Sequence, residues 1–167
     1  GSTDVGEPVD TTGPVITPNV TGTLGSNGWY TSDVGVSWTV TDAESDITSS
    51  TGCSATSVTA DTSGITFTCS ASSLGGSSTR SVTITRDATP PTLAPTASPS
   101  SVEAGGVITA TANAADATSG LASSDCDTPD TSAAGERSVT CTATDRAGNT
   151  ASATARYSVT DPTGRSS

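Results

Sequence analysis

The chain has 167 residues, of which 17 are acidic and 6 are basic, and its formal net charge of -11 disfavours binding to nucleic acid or to an anionic membrane surface. It contains no histidine, which excludes a Ser-His-Asp triad, a Cys-His pair and a His-ligated zinc within the chain. No stretch approaches the roughly 20 apolar residues of a membrane span, so we expect no membrane insertion.

The chain opens with a polar, acidic segment, residues 1–11, which we interpret as a cloning remnant followed by a leader. A motif that begins Asp10-Thr11-Thr12-Gly13-Pro14 returns as Asp87-Ala88-Thr89-Pro90-Pro91 and starts again at Asp161-Pro162. The spacings between the three aspartates are 77 and 74 residues. Such a repeat predicts two tandem modules, at residues 12–88 and 89–161, with the start of the next linker at 162–167.

Both modules show the alternation of apolar and polar residues that is typical of half-buried strands, and neither has a helical period. The alternating stretches are residues 34–40, 65–69 and 82–84 in the first module and residues 108–114, 139–143 and 151–159 in the second. Glycine-rich turns separate them. The pattern predicts an all-β protein made of two tandem immunoglobulin-like β-sandwiches.

The four cysteines fall as two pairs, Cys53 with Cys69 and Cys126 with Cys141, at separations of 16 and 15 residues. One disulfide in each module is the simplest of the three possible pairings, and it implies an oxidising compartment. Closing a loop of this length contributes about 3 kcal/mol to a module that is close to the lower size limit for an independent core. The second module has Tyr157 as its only aromatic residue, so we expect it to depend more on its disulfide.

Two stretches resemble known modules. The end of the second module resembles the end of a hyalin repeat and of related bacterial immunoglobulin-like modules, with the sequence GERSVTCTATDRAGNT at residues 135–150. A stretch of the first module resembles the immunoglobulin-like modules appended to secreted bacterial enzymes and surface proteins, with NGWYTSDV at residues 27–34. The resemblance implies an extracellular address, secreted or at the cell surface, and an adhesion or spacer role. The chain differs from hyalin repeats because it lacks the further cysteine pair that they usually carry.

Three carboxylates, Asp42, Glu44 and Asp46, have the i, i+2, i+4 spacing that can turn oxygen ligands toward calcium. Ile47 stands where a calcium loop of the EF-hand type has glycine, and the second module keeps only Asp116 of the three. We therefore favour a solvated acidic turn, with calcium as the alternative and no other cofactor. A second acidic group surrounds Cys126 and consists of Asp125, Asp127 and Asp130.

A sugar-binding site would need an exposed aromatic side chain. Trp29 and Tyr30 are sequence neighbours, and neighbours on a strand point to opposite faces, so one of them can be exposed. Asn27 and Asp33 lie close by in the sequence and could supply polar contacts to a sugar. The plainer interpretation is an aromatic pair that covers the end of the sandwich.

These observations predict a non-enzymatic, extracellular spacer or adhesion segment of a larger secreted or surface-anchored bacterial protein. The alternative is an accessory carbohydrate-binding segment of a secreted polysaccharide-active enzyme. Catalysis is not expected, because modules of this size offer no evident cleft for a pair of carboxylates to work in. We expect an unknown extracellular protein or polysaccharide as the partner, and a monomeric state for the fragment.

Overall fold

The structure is a computed structural model and describes residues 9–162. All regular secondary structure in this range is β-strand, and no described segment is a helix long and apolar enough to cross a membrane. The described chain divides into two compact units, residues 9–24 with 30–87 (unit 1) and residues 25–29 with 88–162 (unit 2). The all-β class is therefore confirmed, whereas the predicted module boundaries stay a prediction. Most of the expected leader and linker lies outside the described residues.

Unit 1 consists of six strands in two antiparallel sheets, with strand orders β1-β2-β4 and β3-β5-β6. The strands are β1 (Val15–Thr21), β2 (Val34–Thr41), β3 (Ile47–Thr51), β4 (Thr56–Val58), β5 (Thr62–Ser73) and β6 (Gly76–Arg86). The predicted alternation at residues 34–40, 65–69 and 82–84 falls on β2, β5 and β6.

The two sheets of unit 1 share a core, as a β-sandwich requires. Val34, Val36 and Val58 of the first sheet pack in one cluster with Ile84 of the second. Trp38 points to the same side of β2 as the two valines and packs against this cluster. Trp38 also packs against a second cluster, formed by Ile16, Cys69 and Ala71. One aromatic side chain therefore joins the two parts of the unit 1 core.

Unit 2 has a four-stranded sheet with the order β10-β11-β12-β8 and a two-stranded sheet of β7 and β9. The strands are β7 (Thr96–Ser98), β8 (Ser101–Glu103), β9 (Thr109–Thr111), β10 (Leu121–Cys126), β11 (Gly135–Asp145) and β12 (Thr150–Thr160). The alternation at residues 139–143 and 151–159 falls on β11 and β12, but the strand expected at 108–114 is shorter. Asn113 has a left-handed backbone with φ of 48°, and its amide donates to the Ala94 carbonyl at 3.0 Å, which ends the strand.

The core of unit 2 is built mainly from small residues. Its buried cluster contains Ile108, Val139, Ala155, Tyr157 and Val159, with three alanines and one valine packed around it: Ala97, Val102, Ala104 and Ala110. Tyr157 is 3% exposed and is the only aromatic side chain in the cluster. Small side chains bury less apolar area each than aromatic ones, so each alanine of this core contributes less to stability than a residue such as Trp38.

Both predicted disulfide bonds are present. Cys53 bonds to Cys69 and Cys126 bonds to Cys141. Cys126 and Cys141 are directly opposite in the neighbouring strands β10 and β11. Cys53 lies two residues beyond the end of β3, and its partner Cys69 lies on β5, which pairs with β3. Antibody domains instead join their two sheets. Since β3 and β10 are edge strands, each bond ties an edge strand to the interior of its sheet.

The outer face of β5 and β6 carries hydroxyl groups in register. Four opposite pairs bond across the strands, at 2.7 to 3.0 Å: Thr66 with Thr83, Thr68 with Ser81, Ser70 with Thr79, and Ser72 with Ser77. We call these eight residues the hydroxyl ladder. The ladder contains no charged side chain, and its cross-strand bonds help to fix the register of the hairpin.

Candidate functional site

A connected polar site in unit 1 lies where three chain segments meet. Asp10 precedes β1, Asp42 follows β2, Ser73 ends β5 and Gly75 lies in the turn before β6. Together with Ser45 these residues form what we call the Asp10–Asp42 cluster. Strand ends of a sandwich bring loops from both sheets together, which is why residues so far apart in sequence meet here.

Ser73 links the two carboxylates of the cluster. Its hydroxyl oxygen lies 2.6 Å from Oδ2 of Asp42 and 3.3 Å from Oδ2 of Asp10. A hydroxyl has one proton to donate, so the shorter contact identifies Asp42 as its main acceptor. The Gly75 amide lies 3.1 Å from the same Asp10 oxygen and supplies a further donor. The cluster thus satisfies its negative charges with hydroxyl and amide donors from the protein itself.

Asp10 is held in its ionised form. The hydroxyl of Ser45 and the backbone amide of Thr12 both donate to its carboxylate, and they lower the pKa of Asp10 below its ordinary value. Asp10 was assigned to the leader from the sequence, yet these bonds attach it to the loops of unit 1. The ionised carboxylate therefore acts as an anchor for the chain that leads into β1.

The structure does not gather the three predicted calcium ligands. Asp42 accepts the backbone amides of Glu44 at 2.9 Å and Ser45 at 3.1 Å, while Glu44 accepts the hydroxyl of Thr12 at 2.9 Å. Asp46 is exposed and has no hydrogen bond among the described residues. Asp42 instead lies beside Asp10 and Ser73, two residues that were not among the predicted calcium ligands. Calcium at Asp42, Glu44 and Asp46 stays a prediction.

In unit 2 a carboxylate replaces Ser73. Asp145 and Ser73 each lie four residues after the second cysteine of their unit, and Asp145 is 1% exposed. An oxygen of Asp145 lies within 4.8 Å of one of Asp116. Asp145 accepts the backbone amide and side-chain amide of Asn149, each at 2.9 Å. Oxygen ligands of this kind suit calcium, so Asp116 and Asp145 supply the atoms within unit 2 that could contact a cation.

Sequence reasoning missed Asp10, Ser73 and Asp145 as site residues. A signal for them was present, because Asp10 opens the repeated motif and the other two share one distance from a cysteine. These residues are recognisable by their equivalent positions in the two modules, whereas the calcium prediction relied on carboxylates that are close together in the sequence. A cluster assembled from strand ends has no short-range spacing to detect.

The acidic group around Cys126 has a local structural role at Asp130. Its carboxylate accepts the hydroxyl of Ser132 at 2.7 Å, the amide of Ser132 at 2.9 Å and the guanidinium of Arg137 at 3.2 Å. The Ser132 hydroxyl, followed by its amide and by Arg137, lowers the pKa of Asp130. Asp125 and Asp127 are exposed.

The four predicted sugar contacts are divided between the units and are largely engaged by the protein. Tyr30, in unit 1, packs against the core cluster, and Asp33 forms an ion pair with Arg86 at 2.9 Å. Asn27 and Trp29 belong to unit 2, where the Asn27 amide donates to the Arg146 carbonyl at 2.9 Å. Trp29 is half-buried. Sugar binding by these residues stays a prediction.

Comparison with known proteins yields little. No family model matches the sequence, and no curated protein matches it. Among solved structures, the chain is similar to the fibronectin(III)-like modules of CbhA from Clostridium thermocellum, with a TM-score of 0.35 and 15% identity, over 87% of this chain and 94% of that chain. A match at this level carries no functional information, and the resemblance to hyalin repeats stays a prediction.

Proposed function

We propose that this chain is a non-enzymatic, extracellular spacer segment built from disulfide-locked immunoglobulin-like modules. The observation that carries the proposal is the position of the two disulfides, each of which ties an edge strand to its neighbour in the same sheet. An edge strand is held by one neighbour only, so it is the strand most easily peeled away. A covalent bond at that place suits a segment that must keep its fold in the absence of chaperones and under load.

The polar chemistry of the described residues supports this proposal. The carboxylates of the Asp10–Asp42 cluster accept donors from the protein, and Asp130 is similarly occupied. A cavity of about 360 Å³ in unit 2 is lined mostly by polar side chains, among them Asp127, Arg137 and Tyr157. Pockets for drug-sized organic ligands are lined mainly by apolar side chains. The outer sheet faces carry Ser and Thr, which keep a spacer soluble without charge-driven contacts.

The disulfides support an extracellular location, because such bonds persist in oxidising compartments and are rare in the cytosol. In that setting a protein or polysaccharide of the cell exterior is the partner class that we expect. Secretion, attachment to a surface and a bacterial source belong to the same proposal.

Single-molecule stretching of the whole chain tests the spacer function. We expect one force peak for each unit, and each disulfide hides the residues between its cysteines, at separations of 16 and 15. A reductant should therefore lengthen each unfolding step by roughly 50 Å, at about 3.3 to 3.6 Å for each released residue. Extension without force peaks under oxidising conditions would overturn the proposal.

The second candidate is an accessory carbohydrate-binding segment, which is favoured by the half-buried Trp29 beside the exposed turn at Asn27 and Gly28. It predicts retention of the chain on an insoluble polysaccharide such as cellulose, chitin or xylan. The Trp29→Ala variant should lose that retention with its thermal unfolding unchanged. Tyr30→Phe is the matched control, since Tyr30 packs in the core. Lack of retention on the whole set would remove this candidate.

A further inference from the structure

An open cavity of about 260 Å³ lies against the four-stranded sheet of unit 2. It is lined by Glu136, Arg137, Ser138, Thr154 and Arg156. Register places Ser138 directly opposite Arg156 on β11 and β12, and Thr154 lies two residues from Arg156 on the same strand face. A guanidinium and two hydroxyls therefore border one cavity, and all three side chains are exposed.

The guanidinium of Arg156 has no protein partner among the described residues. Arg86 and Arg137 form ion pairs, and Arg80 donates to a backbone carbonyl. Arg146 and Arg156 are the remaining arginines in the described range, and neither side chain has an ion pair or hydrogen bond there. Only Arg156 of these two borders this cavity. Its five N–H donors are thus available to a ligand.

Unit 1 offers an internal comparison for this position. Counted from the cysteine on the central strand of each unit, Thr66 and Thr83 correspond to Ser138 and Arg156. In unit 1 the two hydroxyls bond each other at 2.8 Å and belong to the hydroxyl ladder. In unit 2 the same place holds a serine and an unpaired cation. The cation is therefore a local departure from an otherwise similar hydroxyl face.

We propose that this cavity binds a carboxylate group of an acidic polysaccharide, that is, a chain of uronate sugars. A guanidinium matches a carboxylate with two parallel hydrogen bonds, and the hydroxyls of Ser138 and Thr154 can exchange hydrogen bonds with sugar hydroxyls. Arg137 is already paired with Asp130, so the available charge in the lining is that of Arg156 beside Glu136. One free cation next to one carboxylate suits a singly charged group better than a sulfate-rich or phosphate-rich chain.

This inference goes beyond the spacer function, and it uses none of the aromatic residues of the carbohydrate-binding alternative. It would give the spacer a weak contact with an acidic matrix. The overall charge of -11 repels polyanions, so any retention on one requires a local site. That makes the proposal open to a direct test.

The experiment measures retention of the whole chain on immobilised polygalacturonate at low ionic strength, with dextran and dextran sulfate columns alongside. We expect retention on polygalacturonate only. Arg156→Gln should weaken the interaction by roughly 1.5-fold to fivefold, the range for one exposed charged contact. Arg146→Gln removes an equal charge from an unpaired arginine outside the cavity and should leave retention unchanged. Glu136→Gln should strengthen retention.

Three results would overturn the proposal. The first is no retention of the unmodified chain on polygalacturonate. The second is equal weakening by Arg156→Gln and Arg146→Gln, which would indicate a diffuse charge effect in place of a site. The third is stronger retention on dextran sulfate, which would contradict the preference for carboxylates. Unchanged thermal unfolding of each variant shows that the fold is intact, so that a lost interaction is assigned to the side chain.

Discussion

Unit 1 and unit 2 carry the same repeated motifs, yet they are stabilised differently. In unit 1 a tryptophan, Trp38, packs against two hydrophobic clusters, and Phe67 and Tyr30 pack against the first of them. The unit 2 cluster is surrounded mostly by alanines and has Tyr157 as its single aromatic side chain. Both units nevertheless tie an edge strand to its neighbour with a disulfide. The comparison predicts that unit 2, with fewer aromatic side chains in its core, depends more on its disulfide than unit 1 does.

The units also differ in how they treat one polar position. In unit 1 the Ser73 hydroxyl lies between the carboxylates of Asp10 and Asp42 and donates to Asp42. In unit 2 the corresponding residue, Asp145, is itself a buried carboxylate. A hydroxyl donor relieves the repulsion between neighbouring anions, and a further anion increases it. Unit 1 therefore satisfies its carboxylates with a hydroxyl donor at this position, whereas unit 2 places a carboxylate there.

The largest expected effect comes from the disulfide of unit 2. Replacing Cys126 and Cys141 by serine removes about 3 kcal/mol of loop-closure stabilisation, which is a large part of what a thin core can hold. We expect unit 2 to lose its cooperative unfolding transition, while Cys53→Ser with Cys69→Ser only lowers that of unit 1. Differential scanning calorimetry with hydrogen exchange assigns each transition to a unit. Equal shifts in both variants would contradict the comparison.

The core difference is tested with one aromatic residue in each unit. Trp38→Ala should destabilise unit 1 by about 2 to 3 kcal/mol, somewhat less than a fully buried aromatic, because Trp38 is half-buried. Tyr157→Phe should cost unit 2 about 1 kcal/mol, since it removes the hydroxyl that donates to the Asp130 carbonyl at 2.9 Å and leaves the ring in place.

Chemical denaturation of the two variants measures both losses. Trp38→Phe is the control for Trp38→Ala. The indole nitrogen of Trp38 is buried and has no hydrogen-bond partner among the described residues, so the change to phenylalanine removes a burial cost together with some packing. A loss as large as that of the alanine variant would contradict the expectation that a phenylalanine ring keeps part of the packing of Trp38.

The strand pattern was the part of the fold that sequence could predict best. The alternation of Val34, Val36 and Trp38 identifies β2 because burial on one face repeats every second residue. It failed at residues 108–114, where Asn113 adopts a left-handed backbone that an apolar pattern does not encode. The presence of both disulfides was also predictable, from the nearly equal cysteine separations. That they lie within a sheet depends on strand pairing, which spacing alone does not give.

The polar sites were much less predictable. Closely spaced carboxylates such as Asp42, Glu44 and Asp46 attract attention in a sequence, but each finds a different environment in the structure. The Asp10–Asp42 cluster depends on loops from both sheets, which meet only when the sandwich is formed. The lack of a partner for Arg156 was equally unpredictable, because it depends on which side chains surround Arg156 in the folded protein.

The difference between Ser73 in unit 1 and Asp145 at the equivalent position of unit 2 is tested by Ser73→Asp, which gives unit 1 the aspartate of unit 2. The change removes the donor to Asp42 and places a third anion in the cluster, so we expect a loss of about 2 kcal/mol in chelator. Calcium should recover part of the loss. Ser73→Ala removes the donor without adding charge, and it should be insensitive to calcium. If calcium stabilised the unmodified unit 1 as much as the Ser73→Asp variant, unit 1 would already hold a cation.

The smallest expected effect is the acid dependence contributed by Asp10. Its pKa is lowered in the folded state by the Ser45 hydroxyl and the Thr12 amide, so the unfolded chain binds the proton more readily. The stabilisation is therefore complete above the unfolded pKa of about 4 and is lost as the pH falls through the lower folded value. Asp10→Asn should lower the melting temperature of unit 1 by a few degrees at neutral pH and flatten its decline in acid, with unit 2 as the internal control. The asparagine side chain still offers one carbonyl acceptor, so the variant could keep its stability at neutral pH. If it also kept the same decline in acid, other carboxylates, and not Asp10, would carry the acid sensitivity of unit 1.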